Sequence, residues 1–275
     1  MASRTPTGTD ASLGQVKAHE NAERLAAVVT GVGRSTNIGA AICRHLAADG
    51  WDLVLPVWTA YEHRMPWGST PGDVDALVAE LRVHGARVTV LEADLADPDV
   101  PDRVIEQARE AHGAVAALVL SHAESVDSAI ADTTVESFDR HLAVNARAPW
   151  QLIRAFAAQF PAELSGRGRI VALTSDHVAF NLPYGASKGA LDRIVIAAAK
   201  ELGGQGIRAN VVNPGPVDTG WMDDAVRSEL TALQPTGRLG TPDDAAALIA
   251  FLLSADGGWV NGQLLKSDGG FSISL

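Results

Sequence analysis

Along the chain, short continuous runs of apolar residues alternate with longer stretches in which apolar residues recur at helical spacing. The first run, Leu25-Ala-Ala-Val-Val-Thr30, leads into a glycine-rich turn and then a helical pattern from Ile38 to Asp49 that Gly50 closes. That is a strand-turn-helix unit. Further strand candidates lie at 52–57, 87–92, 115–121, 169–174, 207–213 and 263–267, with helical patterns between them. Because the runs are continuous rather than in-out alternating, the strands are expected to be covered on both faces. The repeated alternation predicts an α/β fold, one doubly wound domain on a mostly parallel seven-stranded sheet. Residues 1–20 are rich in Ser, Thr, Gly and charge without any period, which predicts a mobile tail and leaves 21–275 as the domain. Pro/Gly-rich stretches at 66–72 and 213–220 are bounded by the same alternation and read as loops within it.

Composition narrows the function classes. The net charge of −11 comes from 33 acids against 22 bases with no densely basic window, which argues against a nucleic-acid or anionic-membrane partner. No stretch approaches the roughly 20 apolar residues of a bilayer span, and the N-terminus has no apolar targeting core. The lone cysteine, Cys43, falls inside an alanine-rich helical pattern and reads as a core thiol in a reducing compartment, so the cytoplasm is the expected location. The loop 58–72, WTAYEHRMPWGSTPG, is long for a strand-to-helix connection and carries two tryptophans, a tyrosine, a histidine and an arginine. These aromatics either serve the site or pin the loop to the body.

Two segments carry candidate chemistry. Thr30-Gly-Val-Gly-Arg-Ser-Thr-Asn-Ile-Gly39 sits after the first strand and before the first helix, where glycines let backbone approach a pyrophosphate and free N–H groups face its charge. The literal G-x-G-x-x-G spacing fails, since Thr36 occupies the third glycine's place. The second segment is Tyr184-Gly-Ala-Ser-Lys188, opening with one of only two tyrosines in the chain. Pro183 suits a first helical position, and Leu191, Ile194, Val195, Ala198 and Leu202 continue an apolar stripe. Tyr184 and Lys188 therefore stand one turn apart on one face. An adjacent ammonium favours phenolate and is expected to lower the tyrosine pKa from near 10 toward an acid/base range. A surface Tyr/Lys pair is the plain alternative.

These segments, with Asn145 in His141-Leu-Ala-Val-Asn145, the strand ending Leu173-Thr-Ser175, Asn213-Pro-Gly-Pro-Val-Asp-Thr219 and Asp268-Gly-Gly270, occur in the order seen in classical short-chain dehydrogenases/reductases. The chain resembles that family from about residue 24 to 272, and especially its 3-oxoacyl-acyl-carrier-protein reductase-like branch. The resemblance implies a Rossmann domain and hydride transfer between a nicotinamide and a carbonyl or alcohol carbon of a small molecule. It implies Tyr184 as general acid and, with Lys188, as a cofactor-binding residue, Lys188 lowering its pKa and binding the nicotinamide ribose, Ser175 holding the substrate oxygen and Asn145 ordering a water toward Lys188. Gly31, Asn37, Ile38 and Gly39 match the phosphate turn, and Pro214, Gly215, Val217 and Thr219 the loop beside the carboxamide. Asp94 matches the residue facing adenine, or else caps a helix. The end of the second strand, Val57-Trp58, is not acidic, and Arg34 with Arg64 or His63 would pair with a 2′-phosphate, so NADP(H) is favoured over NAD(H). Family members pair through the helices corresponding to 133–160 and 184–202, which implies a homodimer or homotetramer.

There are departures. Ser121-His-Ala-Glu124 replaces the family's Asn-Asn-Ala-Gly, and His122, lacking partners at metal-site spacing, reads as a hydrogen-bonded histidine with no metal expected. Only eight residues separate Ser175 from Tyr184, fewer than is usual, which predicts a more open substrate pocket with Asp176 and His177 beside it; Thr174 would supply the hydroxyl if the register slips. The stretch 220–240 would set the substrate, and no sequence rule reads a substrate from it. The altered motif and short loop motivate an alternative, a catalytically silent dinucleotide-binding protein.

Overall fold

The structure is a computed structural model and describes residues 24–273; the tail expected over 1–20 lies outside the described residues. Seven strands, Ala26–Val29 (β1), Asp52–Val57 (β2), Val88–Glu92 (β3), Val115–Leu120 (β4), Gly168–Leu173 (β5), Ile207–Asn213 (β6) and Leu264–Lys266 (β7), form one sheet in the order β3-β2-β1-β4-β5-β6-β7. Every neighbouring pair is parallel.

Burial on both sides explains the apolar runs of β1, β2, β4, β5 and β6, whereas the edge strands β3 and β7 depart from that expectation and leave Val90 and Leu264 exposed, because each has a neighbouring strand on one side only. Successive side chains point to opposite faces, so Ala27, Val29, Leu53, Leu55 and Val119 join one core while Val28, Val54, Leu118 and Leu120 join the other. Helices Ile38–Ala48 (α1), Asp73–Val83 (α3) and Pro242–Leu253 (α9) cover the first face through Ile42, Leu46, Leu77, Leu81, Ile249 and Leu252. Helices Val100–His112 (α4), Ala148–Gln159 (α6) and Leu182–Glu201 (α7) cover the second through Val104, Ile105, Leu152, Phe156, Leu191 and Val195. Each such large apolar side chain contributes roughly 2 kcal/mol by leaving water. Pro56, which has no N–H, lies past the end of the β1–β2 pairing and opposite Leu91 of β3, so no bond to β1 is lost.

Two elements depart from the expected pattern. The helical stretch 133–160 is Val135–Leu142 (α5) and α6 joined by a π-helical turn, Ala143–Arg147. The loop 58–72 contains a short helix, Thr59–Arg64 (α2). Helix Asp224–Leu233 (α8) follows β6. Strand β1 is central, with β2 on one side and β4 on the other, so the carboxyl ends of β1 and β4 flank the topological switch point where open α/β sheets bind ligands.

Candidate active site

The glycine turn leaves β1 at this switch point. Gly31 has φ +76°, and a Cβ there would stand 2.6 Å from Ser121 and His122 backbone, so the turn and the segment after β4 touch backbone to backbone. A Cβ on Gly39 would meet the Gly31 carbonyl oxygen at 2.6 Å. Asn37 locks the turn onto α1: its Oδ1 accepts from Ala40 N at 2.9 Å and its Nδ2 donates to the Gly31 carbonyl at 2.9 Å. Ile38 opens α1 and packs on the core. The loop after β6 closes the other side. Gly215 has φ +64° and a Cβ there would stand 2.5 Å from Asp268 Cβ; Val217 is buried and bridges Gly240; Pro214 lies between Asn213 and Gly215. The Thr219 carbonyl accepts from Arg34 at 2.9 Å and ties this loop to the glycine turn.

Asn145 is fully buried in the π-helical turn, where the extra residue pushes it out of helical register. Its Oδ1 accepts from Glu124 N at 2.7 Å and its Nδ2 donates to the Glu124 carbonyl at 2.8 Å and to Ser187 Oγ at 2.9 Å. Ser187 in turn donates to the Tyr184 carbonyl at 2.7 Å, so Asn145 is one residue removed from the Tyr184 backbone. On α7, the Lys188 ammonium lies 5.6 Å from the centre of the Tyr184 ring and donates to the Leu173 carbonyl of β5 at 2.9 Å. Burial lowers the Lys188 pKa to about 8, against the opposing pull of Asp192.

Tyr184 corrects an expectation. Its pKa is pushed up to about 12 rather than down: desolvation dominates, the Ser175 hydroxyl bonded to the phenol pulls it back, and Asp176 adds to the rise. The lysine one turn away points its charge at the Leu173 carbonyl instead. Ser175 is thus the hydroxyl facing Tyr184, and its Oγ accepts from His177 N at 3.1 Å. The short 176–181 loop folds back on α7, so that a Cβ on Gly185 would stand 2.5 Å from the His177 carbonyl. Phe180, the one non-glycine residue with positive φ among those described, is 81% exposed at its end.

Both departures in Ser121-His-Ala-Glu124 have partners. His122 Nδ1 lies 2.6 Å from Thr30 Oγ1 and Nε2 3.0 Å from the Val144 carbonyl, which fixes Nε2–H donating to Val144 and Nδ1 accepting from Thr30. Burial, reinforced by the charge of Lys188, lowers its pKa to about 3 and keeps it neutral. Glu124 is buried and bonded to Arg64 at 2.8 Å and Arg140 at 3.2 Å. Arg140 also reaches Asp94 at 3.3 Å, and Asp94 Oδ1 accepts from Ala96 N in a turn that ends before α4 begins, so Asp94 is not a helix cap.

The cations expected at a 2′-phosphate are already engaged. Arg34 pairs with buried Glu62 of α2 at 3.3 Å and lies 4.9 Å above the Trp67 ring, while Arg64 serves Glu124. Tyr61 of α2 has its pKa raised by burial and then by Glu124, Glu62 and Tyr184, so the chain's two tyrosines lie within electrostatic reach of each other. Trp58, Tyr61, Glu62 and Trp67 thus lie at the candidate site although motif spacing does not reveal them, the aromatic density of 58–72 being their only signal, and Arg140 on α5 carries no signal at all. Among the described residues no group of three or more His, Cys, Asp or Glu side chains is placed to hold a metal, and no helix is long and apolar enough to cross a membrane. A depression of about 890 Å³ lined by Arg24, Trp51, Arg169 and Ser254 lies at the opposite edge of the sheet, away from these groups.

The chain is similar to known proteins over most of its length. A family model described as Enoyl-(Acyl carrier protein) reductase matches residues 31–272. The oxidoreductase YjdA of Bacillus subtilis (strain 168) is 35% identical over 249 residues, covering 89% of this chain and 96% of its own. An NADPH-dependent aldehyde reductase-like chloroplastic protein of Arabidopsis thaliana is 34% identical over 256 residues, covering 89% and 93%. A blue fluorescent protein from a metagenomic library, solved in complex with NADPH, superposes with a TM-score of 0.80 at 37% identity, covering 90% of this chain and 98% of that one. A short chain dehydrogenase from Burkholderia cenocepacia J2315 in complex with NADP superposes with a TM-score of 0.81 at 32% identity, covering 92% and 100%. With a phosphate-type turn at the switch point and a serine, tyrosine and lysine grouped beside it, the chain belongs to the classical short-chain dehydrogenase/reductase family and is an oxidoreductase of that family.

Proposed function

We propose that the chain is an NADP(H)-dependent carbonyl reductase, a ketoreductase of the 3-oxoacyl reductase-like type. The observation that carries this reading is the grouping of Ser175, Tyr184 and Lys188 at the carboxyl edge of the sheet beside the glycine turn. The turn fits a dinucleotide: Gly31, Asn37, Ile38 and Gly39 form a tight bend at the N-terminus of α1, where helix N–H groups favour phosphate. Pro214, Gly215, Val217 and Thr219 would line the carboxamide, and Asp94 the adenine. When bound, the nicotinamide supplies the hydride. Ser175 and Tyr184 donate hydrogen bonds to the substrate oxygen, and Tyr184 gives up its proton as negative charge develops there. A phenol whose pKa sits near 12 is protonated at neutral pH, which suits it to acid catalysis and so to reduction. Lys188, charged below about pH 8, stabilises the phenolate left behind and holds the ribose hydroxyls. Asn145 fixes the Glu124 backbone and the first turn of α7 and orders the water of the relay.

The NADPH dependence of the Arabidopsis relative and the bound NADPH and NADP of the two solved structures support the choice of cofactor, as does the absence of an acid at Trp58. The buried thiol of Cys43 fits a reducing compartment, the cytoplasm. We expect homodimers or homotetramers built on α5, α6 and α7, which a light-scattering mass tests. Following NADPH oxidation across β-ketoacyl thioesters, aldehydes, quinones and cyclic ketones tests the enzyme reading. Tyr184→Phe should cost about 10²–10⁴-fold in rate while leaving cofactor binding intact. The silent dinucleotide-binding alternative draws on the altered Ser121-His-Ala-Glu124 motif and the short Ser175–Tyr184 loop, and on the Glu62 carboxylate resting against Gly33 of the turn. It prevails if NADPH binds but no carbonyl is reduced and Tyr184→Phe changes nothing.

A further inference from the structure

The segment 58–67 lies where a dinucleotide would be held, and its side chains follow the chemical order of one. At the end of β2 the Trp58 indole carries two guanidiniums, Arg140 at 4.6 Å and Arg64 at 5.4 Å from the ring centre, and Arg140 is bonded to Asp94, the residue matched to adenine. At the glycine turn a Cβ on Gly33 would stand only 2.4 Å from Glu62 Oε1, so this carboxylate rests directly on the backbone meant for phosphate. It is held there by Arg34 at 3.3 Å and by the Trp67 indole N–H at 2.6 Å. The Tyr61 ring lies 5.4 Å from the Arg64 guanidinium, which is itself bonded to Glu124. A planar ring, an anion on a phosphate turn and a second ring are what a dinucleotide presents in that order.

Local restraints at the two ends of the segment are few. Helix α2 has six residues and no side-chain N-cap, and it is followed by Gly68 and Gly72, both at positive φ with open space where a Cβ would stand. Beyond them Asp73 is anchored, accepting from Ser35 N at 2.7 Å and Ser35 Oγ at 2.6 Å. We propose that residues 58–67 are an internal occupant of the dinucleotide groove, an autoinhibitory segment that NADP(H) must displace by capturing molecules in which α2 has swung outward. This rests on the dinucleotide reading of the same site. Displacement frees Arg34 and Arg64 for the 2′-phosphate and removes the Glu62 carboxylate from the path of the pyrophosphate. The apparent affinity is then the intrinsic one reduced by the fraction of open molecules.

The test is hydrogen exchange of the full-length, unsubstituted chain with and without NADPH, together with calorimetric NADPH affinities for that chain and for Glu62→Gln. Faster exchange at the 59–67 amides on adding NADPH, with a dissociation constant at least about tenfold lower in Glu62→Gln, is the expected result. Slower or unchanged exchange overturns the proposal, whatever the variant does, because α2 would then close over the cofactor or ignore it. Equal or weaker binding by Glu62→Gln overturns it too. In both of those cases NADPH still binds and the dinucleotide reading stands. If neither NADPH nor NADH binds either protein, both readings fall together.

Discussion

Replacing Lys188 with methionine should make the folded chain more stable at neutral pH while abolishing its activity. Lys188 is 2% exposed, and one carbonyl, that of Leu173 at 2.9 Å, receives its ammonium. Burial lowers its pKa from 10.5 to about 8, a difference worth roughly 3 kcal/mol of penalty for keeping the charge in the fold. Methionine fills a similar volume without the charge but forfeits the bond to Leu173, worth about 1 kcal/mol, so the net gain at pH 7 is about 2 kcal/mol. The sign follows from proton counts. The unfolded chain keeps this proton up to about pH 10.5 while the folded chain releases it near 8, so wild-type stability rises with pH between those values. The variant's advantage is therefore complete below pH 8 and gone by about pH 10.5.

Urea unfolding of both proteins at pH 7 and pH 10 reads this difference, with other alkaline effects cancelling between them. A Lys188→Met protein that is less stable at pH 7, or whose difference from wild type is the same at both pH values, refutes the reasoning. The catalytic half carries its own check, since kcat/KM for carbonyl reduction by the wild type should fall as pH rises through about 8. A residue retained at a cost to stability is the pattern expected of a group kept for its chemistry.

Two further outcomes follow from backbone and histidine geometry. Gly31→Ala should destabilise the chain by about 3 kcal/mol and abolish NADPH binding, because the new Cβ meets Ser121 and His122 backbone at 2.6 Å in a left-handed conformation. Gly50→Ala, also at positive φ but with open space around it, should cost only about 1 kcal/mol, and thermal melts of the two separate clash from conformational strain. His122 should remain the neutral Nε2–H tautomer from pH 8 to 5 in nitrogen NMR. Its folded pKa of about 3 lies below the unfolded 6.5, so the stability it carries is present above 6.5 and lost as pH falls. About 2 kcal/mol should disappear between pH 7 and 5, and His122→Gln should lose less over that interval; equal acid sensitivity in both proteins counts against the assignment.

The sheet was legible because its inner strands are buried on both faces: runs such as Leu53-Val54-Leu55 leave no polar position to obscure them, and even at the half-exposed edge strands β3 and β7 the observed strand ends fall within a residue or two of the expected ones. The turn 30–39 and the pair Tyr184–Lys188 were legible because their geometry is local, one β-α turn and one helical turn. The sign of the Tyr184 shift was not, since i,i+4 spacing fixes the lysine's nearness but not the desolvation around the phenol or the pull of the Leu173 carbonyl on the ammonium. Nor was the π-helical turn at Asn145, which accompanies contacts to Glu124 twenty-one positions away. Helix α2 escaped for the same reason: Gly33, Glu124 and Tyr184, which meet its side chains or lie within their electrostatic reach, are brought near only by the finished sheet.

The replaced segment Ser121–Glu124 shows why these nonlocal contacts belong together. His122 takes over a bridging task, joining Thr30 at the end of β1 to Val144 in the π-helical turn, so the sheet and the Asn145 turn stay locked without an asparagine. Glu124 places a carboxylate where the family has no side chain, and a buried carboxylate needs cations. Two are supplied from separate elements, Arg64 from α2 and Arg140 from α5. Only the first departs if α2 swings out. Arg140 remains on α5 with Asp94 as its second partner, so Glu124 keeps a counter-charge in the open state and the groove floor need not rearrange when the segment leaves. A single-cation arrangement served by Arg64 alone would have welded α2 to the groove; dividing the task between two arginines lets the segment hold the site closed and still let go.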